Sequence, residues 1–294
     1  MSEYTFCEAS GAEGETQADI ERRRASYYSA LVTARRITVP GSRHLQYWDT
    51  CVQPSTRFAA TMPIGENMHP EPLPGWPAPL ARVLRRVASS AVGRALIRHP
   101  RRRTTIYYRN DTPESEPDHH TDERGPGHRQ AALAEAAGQG CRALVWLNPA
   151  APPHHDATGL LRVPDVSLVH ELVHAISITH GGFRPARVDA VAARFHAPSL
   201  EEGRAVVIEN MYRDESRYLL RREYLDGGAI AYGATPTSRN TGTPIGELEA
   251  DTVRHFRLRA PGLASELERI PAHVCRYNPF RDLHVHRSPL RSAR

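Results

Sequence analysis

Cysteine and methionine are scarce in this chain, four of each in 294 residues, and no long apolar run occurs anywhere in it. Cys7, Cys51, Cys141 and Cys275 are scattered, without a CxxC pair. That spacing excludes a zinc ribbon and a disulfide framework, and favours a reducing compartment in which each cysteine is an ordinary thiol. No apolar stretch has the length needed to span a bilayer, so no transmembrane helix and no membrane partner are expected. The leading MSEYTFCEASGAEGETQADIERRR lacks the basic-then-apolar order of a secretory signal, so no classical signal peptide is expected either. Internal repeats are absent.

What remains is a soluble, globular composition: 40% hydrophobic and 24% charged residues, enough chain for one large domain with extensions. The net charge is +5 and the pI about 9.2, carried mostly by arginine. Runs such as ERRR and RHPRRRTT could attract nucleic acid or an acidic partner. Thirty-three acidic residues are interleaved with them, few aromatics accompany the arginines, and no nucleic-acid motif is present. No nucleic-acid partner is therefore expected.

Composition divides the chain into a leader at 1–36, one domain at 37–270 and a basic tail at 271–294. A helix is expected near 17–35 within the leader. RITVPG reads as a short strand ending in a Pro-Gly turn. TMPIGENMHPEPLPGWPAP reads as loop. APLARVLRRVASSAVGRALIRHP follows, with Leu80, Val83, Leu84 and Val87 at amphipathic helix spacing, closed by Pro100. RTTIYYRN and CRALVWLNP are β-branched or apolar strand candidates. Between them, DTPESEPDHHTDERGPGHRQ reads as a long polar loop whose His119, His120 and His128 are loop histidines. Helices and strands of these kinds give an α+β domain with a small mixed sheet.

The chemistry concentrates in RVPDVSLVHELVHAISITHGG. Asp165 or Ser167 can cap a helix there, Gly181 or Gly182 can end it, and Val169, Leu172, Val173 and Ile176 form its apolar face. His170 and His174 stand one turn apart on one side of that helix, close enough to share an ion, with Glu171 beside them. The chemistry of an HExxH helix requires this arrangement. Zinc lowers the pKa of water, the glutamate takes the proton, and a polarised peptide carbonyl is attacked.

Two candidates compete for the third ligand. His180 has the spacing of the long HExxHxxGxxH motif, but Ser177 stands where that motif needs glycine, and the one downstream methionine, Met211, falls in a helical segment rather than a turn. The alternative is a glutamate from APSLEEGRAVVIENMYRDESRYLLRREY. Ser199 and Glu202 there form a capping-box pattern, yet Glu202, Val206, Glu209 and Arg213 also make one stripe. Two carboxylates and an arginine among apolar neighbours suggest a buried polar network.

HELVHA, EE, ENMYR and LRREY together resemble the NleD-type zinc peptidases, effectors of bacterial type III secretion, which are themselves similar to the clostridial neurotoxin light chains. The likeness runs loosely from 37 to 224 and specifically from His170 to Tyr224. It implies a zincin-like fold, Zn2+ as cofactor, His170, His174 and Glu202 as ligands with Glu201 as the other choice, and Glu171 as base. It further implies that Glu209, Asn210 and Arg213 orient the ligands, and that Arg221 and Tyr224 donate to the oxyanion. The stretch between EE and EN is shorter here than in that family, which leaves Glu201 against Glu202 open. The resemblance implies a protein substrate bound in extended form at a strand edge, of host signalling or MAP kinase type. It also implies delivery into a host cell and a secretion chaperone as partner. The competing readings are a metzincin-like or regulatory intracellular peptidase, and a basic nucleic-acid-binding or scaffold protein in which HExxH is incidental.

Overall fold

The computed structural model describes residues 35–48, 76–108, 114–117, 128–155, 160–184, 197, 199–221, 229–230 and 244–283. The helix expected near 17–35, the loop up to residue 75, His119, His120, Cys7, Cys51, Tyr224 and residues 284–294 lie outside them.

The chain is a mixed α+β structure built on a small mixed sheet. Its strands are Arg36–Thr38 (β1), Leu45–Trp48 (β2), Thr104–Tyr108 (β3), Glu114–Pro117 (β4) and Ala143–Leu147 (β5), in spatial order β1-β2-β3-β5-β4. β2, β3 and β5 run parallel, and the two edge strands are antiparallel to their neighbours. Every residue of β5 is buried, as a short uninterrupted apolar run between two neighbours should be. Ala143, Val145 and Leu147 join Leu45 and Ile106 in the main core, while Leu144 and Trp146 pack with Tyr107 in a separate small cluster.

β4 corrects the sequence reading, which made this whole region loop. Glu-Ser-Glu-Pro has poor strand propensity, so its strand form comes from tertiary pairing with β5 and not from local preference. Proline is tolerated there because an edge strand need not donate on both sides. The helix His128–Glu135 (α3) begins within the same stretch.

The single helix expected over 78–99 is two, Pro77–Ser89 (α1) and Ala91–Arg98 (α2). Ser90 between them is extended, at φ −87° and ψ 153°, and its Oγ accepts from Gly93 N at 2.7 Å. A Cβ at Gly93 would meet Val87 O at 2.0 Å, so the break needs glycine at that place. Leu80, Val83, Leu84 and Val87 do face the core.

The HExxH segment forms Pro164–His180 (α4), ended by Gly181 in the left-handed region at φ 75°. Neither Asp165 nor Ser167 caps it: Val163 holds that place and Pro164 starts the helix with its φ already set. Asp165 is engaged elsewhere, accepting from Tyr212 Oη at 2.8 Å and pairing with Arg86 Nε at 3.1 Å. Leu200–Glu215 (α5) follows, capped by Ser199 Oγ accepting from Glu202 N at 3.3 Å. α4 packs on β4 and β5 and is covered by α1, α2, α3 and α5.

Pro244–Arg259 (α6), Pro261–Glu268 (α7) and Pro279–Asp282 (α8) complete the body. The division placed at residue 270 is too early. Cys275, Tyr277, Asn278 and Phe280 are buried, and Asp214 of α5 accepts from Tyr277 N at 3.1 Å. The tail therefore packs with the domain at least to Leu283. Cys141 and Cys275 are both buried. Among the described residues, no helix is long and apolar enough to cross a membrane.

Candidate metal centre

Most surface helices keep one side in solvent. α4 does not: from Asp165 to Thr179 every residue except Ser167 is buried, so its histidines lie inside the protein. α5 is nearly as enclosed and carries Glu201, Glu202, Glu209, Asn210 and Arg213. Polar groups so placed must be partnered or must bind something.

The i, i+4 spacing brings His170 Nε2 to 3.2 Å from His174 Nε2. Glu202 reaches both, with Oε2 3.0 Å from His170 Nε2 and Oε1 3.3 Å from His174 Nε2. Among the described residues this is the one group of His, Cys, Asp or Glu side chains whose donor atoms converge within 4.8 Å. Glu202 caps α5 with its backbone N–H, while its carboxylate turns to the histidines, so the capping and site roles coexist. Its side chain is 27% exposed against 11% for His170, which puts the open side of the cluster at Glu202.

Behind His170 stands a second carboxylate. Glu209 Oε2 is 2.9 Å from His170 Nδ1, and Oε1 takes Arg213 Nε at 2.6 Å. Arg213 is fully buried and also donates to Leu161 O at 3.2 Å. The strand Leu220–Arg221 (β6) brings Arg221 Nη1 to 3.4 Å from Glu209 Oε2. Asn210 clamps that strand, donating to Arg221 O at 2.8 Å and accepting from Arg221 N at 2.7 Å. The sequence reading expected Arg221 near an oxyanion, and the contact found here is with the carboxylate that holds His170.

Burial opposes ionisation at each of these groups, but the charges override it. His170 is pushed up to about 10 by hydrogen bonds to Glu202 and Glu209 and by the charges of Glu209 and Glu171. His174 is raised by Glu202 despite burial and despite its neighbour His170. The Glu202 carboxyl is held far below the usual range by the two histidines, and Glu209 by Arg213 and Arg221. Glu171, buried beside both imidazoles, adds its charge to each. The carboxylates of Glu171, Glu202 and Glu209 thus favour positive charge at the two imidazoles.

The donor set fits a small divalent ion. Ligands about 2.1 Å from a tetrahedral zinc lie roughly 3.4 Å from one another. The two imidazole nitrogens here are 3.2 Å apart, and each has one Glu202 oxygen near it, Oε2 at 3.0 Å from His170 and Oε1 at 3.3 Å from His174. Two imidazole nitrogens and one carboxylate are also the ligand types such an ion takes when a fourth position is kept for water.

His180 is not part of this cluster. Its Nδ1 lies 3.0 Å from Arg259 O and its Nε2 3.0 Å from His99 O, so both nitrogens face backbone carbonyls. Glu201 is not one of the three converging groups and pairs with Arg204 at 2.6 Å. Met211 is buried within α5, not in a turn beneath the site. Two neighbours had no signal in the sequence. Phe183 sets its ring edge-on to His174, at 6.0 Å between centroids, because Gly181 reverses the chain. Asp165 ties α4 to α5 and α1 through Tyr212 and Arg86.

No protein-family model matches the chain, and no curated protein matches it.

Proposed function

We propose that the chain is a zinc-dependent endopeptidase. The convergence of His170, His174 and Glu202 inside the protein, with Glu171 beside them, is the observation that supports this most. Zinc held by those three side chains would supply a Lewis acid that lowers the pKa of water and polarises a carbonyl.

The protein's own groups do the rest. Glu171, adjacent in sequence to one ligand and buried with both, takes the proton of the attacking water and returns it to the departing amine. Glu209 fixes the His170 ring through Nδ1, and Arg213 and Arg221 keep Glu209 ionised for that purpose. The clamp of Asn210 on Arg221 sets the start of the segment leading to Tyr224, which we assign with Arg221 to oxyanion stabilisation on the strength of the resemblance alone. β4 is the sheet edge next to α4, and an extended peptide would pair along it through its backbone. A host signalling protein of MAP kinase type, reached by type III secretion, is the substrate class that the resemblance suggests.

Metal analysis of the purified full chain tests the reading: about one zinc per chain is expected, and none would sink it. Glu171→Gln should keep the zinc and abolish cleavage of a peptide library. Glu202→Ala should release zinc while His180→Ala retains it; the reverse result would move the third ligand to His180.

A further inference from the structure

His170 is held from behind by Glu209, and Glu209 by an arginine one turn on in α5. His174 needs the same service, because a ring that binds an ion through Nε2 must present its Nδ1–H to an acceptor. Among the described residues Nδ1 of His174 has no hydrogen-bond partner. The same holds for Ser177 Oγ and for one oxygen, Oε2, of Glu201. All three residues are buried, at 4%, 1% and 1% exposure.

These atoms share one place. Ser177 is three residues after His174 on α4, one turn along the same side. Glu201 precedes Glu202, whose carboxylate is 3.3 Å from His174 Nε2, so the α5 backbone passes close to that ring. The Ser177 hydroxyl and the His174 charge both act on the Glu201 carboxyl, although Ser177 Oγ and Glu201 Oε2 are not in hydrogen-bond geometry. Glu201 Oε1 is fixed by Arg204 Nη1 at 2.6 Å, and Arg204 Nε by Asp251 of α6 at 2.8 Å. The carboxylate is therefore held by one oxygen, with Oε2 left over. Glu201 with Arg204 repeats, one turn of α5 apart, the pairing of Glu209 with Arg213.

We propose that Glu201 is the positioning carboxylate of His174, acting through the Ser177 hydroxyl. A small shift of these three side chains lets Nδ1–H of His174 donate to Ser177 Oγ and the Ser177 hydroxyl donate to Glu201 Oε2, while Nε2 keeps its lone pair for the ion. The proposal rests on the metal reading above and deepens it. It gives a separate job to each glutamate of the EE pair: Glu202 binds, and Glu201 holds the binder. It also gives Ser177, the residue that departs from the long HExxHxxGxxH motif, a role of its own.

The test uses the full chain, with zinc affinity measured by chelator competition and Co2+ as a spectroscopic stand-in. Glu201→Gln and Ser177→Ala should each weaken zinc about 10- to 100-fold, the usual loss when such an outer partner is removed. The double variant should be no weaker than the worse single, since both act on one relay. Their Co2+ spectra should keep the wild-type envelope, whereas Glu202→Gln, which removes a ligand, should change it. In zinc-loaded, 15N-histidine-labelled protein the Nδ1–H resonance of His174 should move in both variants, and Ser177→Thr should restore affinity. Additive losses would overturn the relay, and so would wild-type affinity in Ser177→Ala, even if Glu201→Gln fails to fold. A wild-type chain that binds no zinc refutes the metal reading itself, a result distinct from either of these.

Discussion

The hairpin of α1 and α2 and the pair of α4 and α5 are both helical, but they treat polar residues in opposite ways. On α1 the core takes Leu80, Val83, Leu84 and Val87, and Arg82, Arg85 and Arg86 are exposed. On α4 and α5 the core takes His170, Glu171, His174, Glu201, Glu209, Asn210 and Arg213 along with the aliphatic residues. In the first pair apolar periodicity does the folding. In the second, fold and site are the same set of contacts, and a charge can remain inside only because another charge answers it.

The largest effect should follow from breaking that answer. Glu209→Ala leaves the buried guanidinium of Arg213 without its partner at 2.6 Å and Arg221 without the one at 3.4 Å. Removing one member of a buried pair typically costs about 3–5 kcal/mol. Urea denaturation of the metal-free protein should show a loss of that size, and zinc binding should weaken as well because His170 loses its support. A loss under about 1 kcal/mol, the range of an exposed ion pair, would mean that the two helix pairs do not differ as described.

The same contrast explains what could be read from the sequence. α1, β3 and β5 were legible because their periodicity is a local property of the chain. So were the placement of His170 and His174 on one side of a helix, which follows from their spacing, and the capping of α5 by Ser199. Glu202 was legible only as one of two neighbours, because which carboxylate turns inward depends on how α5 crosses α4. β4 could not be read, since its strand form is imposed by β5. The break at Ser90 was hidden by an unbroken apolar period; it is stabilised in part by Glu215, whose carboxylate accepts from Val92 N at 3.0 Å across more than a hundred residues. Arg221 was recognised but its partner was not, because nothing local links it to Glu209.

A second prediction sharpens the comparison with a buried carboxyl that, among the described residues, has no cation acting on it. Glu249 of α6 is fully buried, and burial together with the charge of Asp282 pushes its carboxyl up to about 7, although the Tyr277 hydroxyl faces it. The unfolded chain would ionise this group from about pH 4.5. Its contribution to stability is therefore complete below pH 4.5, declines as pH rises through that window, and is gone above about 7. The difference is worth about 3 kcal/mol at most. Glu249→Gln should match wild type near pH 4 and exceed it by about 2–3 kcal/mol at pH 8, measured by denaturation at both pH values. Equal stabilities at pH 8 would mean that Glu249 is solvated when ionised.

The smallest effect should come from the other side of the comparison. Arg85 is exposed on α1, and among the described residues it makes no ion pair or hydrogen bond. Alanine keeps the helix and even improves its intrinsic propensity slightly. Arg85→Ala should change stability by less than about 0.5 kcal/mol, since nothing buried depends on the guanidinium. Arg213→Ala, also an arginine on a helix, should cost several times more, because it takes from the buried Glu209 its closest cation and leaves it His170 and the longer contact to Arg221. The ratio of the two losses, measured under one set of conditions, reads out how far each helix pair depends on its polar residues. A ratio near one would remove the distinction between a helix that folds on its apolar face and one that folds around its charges.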